Sequence, residues 1–462
     1  MIISSFIFFL GLFLAIGIWA STKHINTTED YLLAGRNVNP WLAGLSACAT
    51  EKSGFTFIGY VGMVYMVGLS GVWLFLGMYS AYLLFLPKIA SRTKEISAEH
   101  NLQTYNQLLG TYKSSQYKKL AFITGVLIIV FLGLYAAAQL TAGSKALTVL
   151  FNWPEYSGAV LGAVILLLYS YSGGIRASIW TDAAQMAAMV LSMGLLLWGA
   201  INISGGLSDF WSQLQNIGNG YTAFVPGAIQ PILLLWLGWF FGGLGISGQP
   251  HIMIRFMAVS DPADAKKAHY VFLGSNMLFV LLTTLTAMAA RLLIDHNGDP
   301  ELTLPLMSME FLPPVLTGLM LAGLFASTMS TADSQVLSCS AALSQDILPL
   351  RLRGKYQSAK YSTLAVILII LLIALFGSQS VFTLVIAAWG GLAAAFGPLA
   401  LLKLSGQNFQ ENESIAIVLT GLIAALAWRF TGMSALIFEA APGVLAGFMC
   451  YILIVIKQRI RT

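Results

Sequence analysis

Charge is scarce in this chain. Lys, Arg, Asp and Glu make up 9% of its 462 residues, against 57% hydrophobic residues and a mean hydropathy of +0.78. A soluble domain carries about 25% charged residues, so this composition excludes one. Cysteine is nearly absent: Cys48, Cys339 and Cys450 lie far apart within apolar stretches. That excludes a disulfide framework and any thiolate site with metal-ligand spacing. The five histidines form no cluster; His251 follows a Gly-Pro step and His296 falls in a connection. Metal catalysis therefore has no support, and no nucleophile–base pair suggests an intramembrane enzyme. The net charge of +5 comes from basic residues gathered in alternate connections and does not point to a nucleic-acid partner.

Long apolar sequence is what the chain has in abundance. A run of about 18 residues or more is long enough to cross a bilayer. Thirteen such runs predict helices at 2–20, 40–66, 69–91, 118–148, 154–172, 178–204, 228–256, 268–294, 311–345, 361–377, 380–404, 413–431 and 435–457. The connections are short, and none predicts a soluble or signalling domain, so 1–462 reads as one all-α polytopic membrane domain. The first run has no basic flank before it and no cleavage site after it, which makes it a retained helix rather than a signal peptide.

Basic residues mark one side of the membrane. Lys23 and Arg36 fall in the first connection, Arg92, Lys94, Lys113, Lys118 and Lys119 in the third, and Arg176 in the fifth. Arg255, Lys266 and Lys267 fall in the seventh, and Arg351, Arg353, Lys355 and Lys360 in the ninth. Lys403 and the tail residues Lys457, Arg459 and Arg461 continue the pattern; Lys145, Arg291 and Arg429 are exceptions. Cytoplasmic connections are the basic ones, so the N-terminus is expected outside and the C-terminus in the cytoplasm.

The scarce charges inside apolar runs carry the most information. Glu51 and Lys52 stand together within Trp41–Gly71, beside Gly54, Gly59 and Gly62. A charge at membrane depth is costly and persists where it lines a cavity or meets a partner. The run Gly242-Gly243-Leu244-Gly245-Ile246-Ser247-Gly248-Gln249-Pro250-His251 is equally unsuited to a regular helix. The two interruptions stand five segments apart and open blocks of opposite orientation, the pattern of an inverted-repeat transporter with its site at the breaks. The alternative is that these glycines only permit close helix packing. A third polar cluster, Ser327-Thr328-Met329-Ser330-Thr331-Ala332-Asp333-Ser334, offers hydroxyl and carbonyl oxygens of the kind a small hard cation accepts. Its bland alternative is hydroxyls bonded back to their own helix.

Several motifs in shared order resemble the sodium/solute symporter family, nearest its sodium/proline branch. They are Asp30-Tyr31-Leu32-Leu33-Ala34-Gly35-Arg36, then Tyr171-Ser172-Gly173-Gly174-Ile175-Arg176-Ala177 with Trp180-Thr181-Asp182 and Gln185. Gly248-Gln249-Pro250-His251-Ile252 with Arg255-Phe256-Met257, Met329-Ser330-Thr331 and Ala393-Ala394-Ala395-Phe396-Gly397-Pro398 complete the set. The resemblance covers essentially the whole chain. It implies a 5+5 inverted-repeat core, with 40–204 and 228–404 as the repeats. Residues 1–39 would add one helix and a loop, and 405–462 two more helices. It also implies a multi-pass protein of a plasma membrane, in bacteria the inner membrane, with no obligatory protein partner.

For the site, the resemblance implies a sodium ion held by carbonyls of Ala49, Lys52 and Ser327 and hydroxyls of Ser330 and Thr331. Asp182 would lie near the ion's exit route, or serve only as a helix-start residue at the membrane edge. Glu51, Ser53 and Thr56 fall at substrate positions, with Trp239, Phe240, Phe241, Ile246 and Gln249 as candidates on the second broken helix. Two departures stand out. Gly242 and Ile246 replace aromatics of the proline branch, which argues against proline itself, and Lys52 replaces an apolar residue. Lys52 has three readings: a fixed structural charge paired with Glu51, Asp182 or Asp333; a stand-in for sodium, giving proton-coupled or sodium-independent transport; or a ligand for a substrate carboxylate. The expectation is sodium-coupled uptake of a small polar solute, an amino acid or related zwitterion. The rival from another class is a sensor that keeps the transporter fold.

Overall fold

A computed structural model describes the chain except for residues 23–26, 113–114, 173, 295–297, 350, 354 and 462. Lys23, Lys113, Gly173 and His296 of the sequence reading lie outside the described residues. The principal helices are α1 (Ile2–Ser21), α2 (Pro40–Glu51), α3 (Val61–Val67), α4 (Trp73–Glu99), α5 (Lys118–Phe151), α6 (Glu155–Ser172), α7 (Gly174–Ile203) and α8 (Ile229–Leu244). They continue as α9 (Pro250–Met257), α10 (Pro262–Leu293), α11 (Pro314–Ala342), α12 (Tyr356–Phe376), α13 (Val381–Leu404), α14 (Glu411–Phe430) and α15 (Ala440–Arg461). Among the described residues, the one strand ladder pairs Thr111–Tyr112 with Ser115–Gln116. Each of the thirteen apolar runs is helical over most of its length. Among the described residues, eleven helical stretches are long and apolar enough to span a membrane, and Tyr156–Leu167 is a shorter apolar helix. The number falls below thirteen partly because the 40–66 run is cut in two.

The local chemistry sets where helices begin. Pro40, Pro250, Pro262 and Pro314 occupy the first turns of their helices, where a missing N–H costs nothing. Asn39 and Asp261 accept backbone N–H groups from Trp41 and Asp264, satisfying donors that the helix start leaves free.

Burial separates centre from rim. The apolar stretches of α11 and α13 are 83% and 78% enclosed, whereas those of α1 and α15 are 22% and 28% enclosed. The first and last helices thus face outward, and α11 and α13 run through the middle.

Both expected interruptions exist. After α2 the backbone leaves helical geometry at Lys52 (φ −87°, ψ 43°), and Phe55–Tyr60 forms a wide turn before α3. After α8, Gly245–Gly248 tightens into a 3₁₀ turn, and Gln249 is extended (φ −106°, ψ 91°) ahead of Pro250, as the residue before a proline prefers. Glycines in these breaks keep ordinary negative φ. What they provide is close approach: a Cβ on Gly54 would sit 2.5 Å from that of Ala142, and one on Gly245 2.1 Å from that of Ala393. The glycines at these breaks therefore permit close packing, which any Cβ would obstruct.

Gly245→Val should overpack this contact with α13 at a cost of about 1–3 kcal/mol or more. Gly274→Ala, where nothing lies within 4 Å, should be neutral or stabilising. Differential scanning fluorimetry of the purified variants checks this; equal melting temperatures would contradict the packing role.

Candidate functional site

The first break turns two charges into one small cavity. Lys52 and Glu51 are both buried. The Lys52 ammonium lies 3.7 Å from the centroid of the Phe75 ring and 5.6 Å from that of Tyr79. Its nearest carboxylate oxygen is Glu51 Oε1 at 3.6 Å. Tyr82 donates its hydroxyl to that same oxygen at 2.7 Å, while Glu51 Oε2 has no partner among the described residues. Both residues line a cavity of about 310 Å³ together with Phe55, Phe75, Met78, Tyr135, Trp239, Val385, Ile386 and Trp389. Of the three proposed partners for Lys52, the geometry selects Glu51.

A second buried pair lies where α2, α7, α9 and α11 meet. Arg255 on α9 and Asp182 on α7 are almost wholly enclosed, with Arg255 Nη2 3.2 Å from Asp182 Oδ2. Ser46 donates to Oδ2 at 2.5 Å, and Ser330 donates to Oδ1. The guanidinium also donates to Ser334 at 2.5 Å, to Ser46 at 3.2 Å and to the carbonyl of His251. Thr331 donates to the Thr50 carbonyl at 3.4 Å, which brings α11 against the first break. Ser327 Oγ is buried with no partner among the described residues. These oxygens, some still unsatisfied, form a donor set suited to a hard monovalent cation.

Two corrections follow for single residues. Asp182 stands inside a helix, wholly buried, so it is not a helix-start residue at a membrane edge. Arg255, counted from sequence with a basic connection, is a core residue. The basic exceptions are neutralised or covered locally. Lys145 pairs with Asp299 at 2.5 Å and Glu301 at 2.7 Å, Arg429 pairs with Glu439 at 2.6 Å, and Arg291 lies over Tyr65.

Cavities flank both pairs. A cleft of about 780 Å³ is lined by Lys145, Asp299, Glu301 and Phe382. Another of about 950 Å³ is lined by Phe382, Ile386, Trp239, Arg429 and Glu439. Trp239 and Ile386 line this second cleft and the Glu51–Lys52 cavity alike, and Phe55 stacks on Phe382 at 5.4 Å. These four side chains are the partition between clefts and cavity. Elsewhere, about 590 Å³ opens beside Arg255, Ser178 and Ser334, bounded by Tyr105 and Asn106.

The remaining expected residues are placed unevenly. Trp239 lines the cavity. Ser53 reaches it through Tyr135, at 3.5 Å, and Gln249 through the carbonyl of Trp389, at 3.3 Å. Thr56, Ile246 and Phe241 do not line it; Phe240 and Phe241 pack edge to face at 5.7 Å. Ala49 is buried at the end of α2. Sequence reading missed Phe75, Tyr82, Tyr135, Trp389 and Arg255. Only Arg255 carried a usable signal, a charge within the 228–256 run.

The model of the Sodium:solute symporter family matches residues 31–438. The chain is 29% identical over 469 aligned residues to the osmoregulated proline transporter of Bacillus subtilis (strain 168), covering 98% of this chain and 94% of that one. It is 27% identical over 451 residues to the sodium/proline symporter of Escherichia coli (strain K12), covering 93% and 87%. Among solved structures, it superposes on a Na⁺-coupled sialic acid symporter in a substrate-bound outward-open state with a TM-score of 0.82. That match has 19% identity and covers 97% of this chain and 96% of that one.

Arg255→Met should strand the Asp182 charge and lower stability by about 3–5 kcal/mol. Combining it with Asp182→Asn should restore at least half of that loss, as coupled neighbours do. Thermal melts of the single and double variants check the coupling; strictly additive losses would contradict it.

Proposed function

Because the chain belongs to the sodium:solute symporter family, we propose that it imports a small polar organic solute, an amino acid or related zwitterion, together with sodium. The family and the relatives are transporters rather than enzymes, and the chain is a multi-pass membrane protein. The observation that carries the reading is the first break, which touches the hydroxyl cluster of α11 through Thr50 and Thr331 and lines a cavity with Trp239 of the second broken helix through Glu51 and Lys52.

In this reading sodium sits between the carbonyls of Ala49, Lys52 and Ser327 and the hydroxyls of Ser330 and Thr331, with Asp182 on its way out. The Thr331–Thr50 contact and the unpartnered Ser327 hydroxyl support that set. The Lys52 ammonium points at Phe75 and Glu51, not at these hydroxyls, which counts against the lysine standing in for the ion. Arg255 already occupies Asp182, so release of sodium past this carboxylate requires the guanidinium to yield. The solute occupies the Glu51–Lys52 cavity, behind the partition of Phe55, Phe382, Trp239 and Ile386. The thirteen-helix count, the repeats 40–204 and 228–404, and the cytoplasmic C-terminus belong to the same proposal.

The energetics suit the task. One sodium moving down 100 mV releases about 2.3 kcal/mol, enough alone for about fiftyfold accumulation of a neutral solute.

Proteoliposomes containing the protein should accumulate at least one labelled amino acid under an inward sodium gradient and not under choline. Ser330→Ala combined with Thr331→Ala should reduce that uptake at least tenfold. Equal uptake in sodium and choline, or full activity of the double variant, would contradict sodium coupling at these hydroxyls.

A further inference from the structure

The looseness of the Glu51–Lys52 pair is informative. Eight other ion pairs close to 3.2 Å or less, including the buried Arg255–Asp182 pair. Glu51 and Lys52, neighbours in sequence and both enclosed, stay 3.6 Å apart. A pair kept only to neutralise itself would contract, because a charged hydrogen bond prefers about 2.7–2.9 Å and buried charges need every partner available. Instead the ammonium rests on an aromatic face, a partial substitute for water. One carboxylate oxygen is held by Tyr82 and the other by nothing among the described residues. Both residues line the same cavity. In a regular helix adjacent side chains diverge by about 100°; the irregular backbone at Lys52 removes that limit.

We propose that Lys52 and Glu51 form an electroneutral clamp that reads both charges of a zwitterion. The ammonium of Lys52 takes the solute's carboxylate, and Glu51 Oε2 takes its ammonium. The proposal rests on the transport reading above and adds which charges are selected. The cavity walls carry one positive and one negative charge, so a solute that is only anionic meets Glu51 as a repelling neighbour. A solute that is only cationic meets Lys52 in the same way, whereas a zwitterion complements both. The rings of Phe55, Trp239 and Trp389 line the cavity and cover the solute's apolar body. Lys52 is then the residue that determines preference for a free carboxylate.

The test uses matched competitors in sodium-driven proteoliposomes. Labelled L-proline, L-alanine and L-valine are offered first, and whichever accumulates is competed by its unlabelled form, its carboxamide and its N-acetyl derivative. The wild type should reject both derivatives by at least about tenfold, the cost of leaving a buried charge unmatched. Lys52→Met should weaken the zwitterion and bring it within about threefold of the carboxamide, while still rejecting the N-acetyl form. Lys52→Arg should retain the preference for the free carboxylate. Carboxamide and zwitterion competing equally in the wild type would overturn the clamp. So would undiminished discrimination by Lys52→Met. If Lys52→Met does not fold, loss of carboxylate preference in a folded Lys52→Arg overturns it as well. Failure of every amino acid to accumulate in the wild type overturns the transport reading and the clamp together, before any variant is measured.

Discussion

Desolvation of charge is the constraint on which this structure depends. Four formal charges, Glu51, Lys52, Asp182 and Arg255, are enclosed near the two helix breaks. Each would be costly alone in a low-dielectric interior. They occur as two pairs of opposite character. Arg255 and Asp182 are closed, held by serines on α2 and α11, and tie those helices to α7 and α9. Glu51 and Lys52 are open: one carboxylate oxygen has no partner among the described residues, and both residues line a cavity. The first pair holds the scaffold in one arrangement; the second leaves room for a ligand to complete it.

The breaks make both arrangements possible. A continuous helix through residues 50–56 would direct Glu51 and Lys52 to different sides and keep its carbonyls internally bonded. Interrupting it at Lys52 frees carbonyls and turns both charges into one space. The second break sets Gly245 against Ala393 and starts α9 at Pro250, which places Arg255 one helical turn beyond His251 and against Asp182. The close contacts that glycine permits hold the irregular segments in place, since freed backbone groups are tolerated only where protein encloses them.

Much of this was legible in the sequence. Apolar runs gave the helices because a bilayer leaves few other solutions, and the Glu51–Lys52 anomaly and both glycine-rich breaks led directly to the cavity. The errors have physical causes. Arg255 sits near the end of an apolar run, where a basic residue reads as a membrane-side anchor, and only tertiary contact with α7 reveals it as buried. Asp182 was ambiguous for the same reason. Tyr82, Tyr135 and Trp389 could not be singled out, because aromatic residues are common on membrane helices and pattern alone does not show which face a cavity. Phe241 was named for its neighbourhood to Trp239, yet two residues further along the helix turn it away from the cavity wall.

The central claim is that ion and solute occupy adjoining parts of one site, joined through the first break. Binding free energies of two such ligands must be reciprocally linked. Equilibrium binding of the transported amino acid to the purified protein, titrated against sodium, measures this most directly. The account predicts that sodium tightens solute binding by a factor of about 5–150, and that saturating solute tightens sodium binding by the same factor. Solute affinity independent of sodium concentration would contradict it.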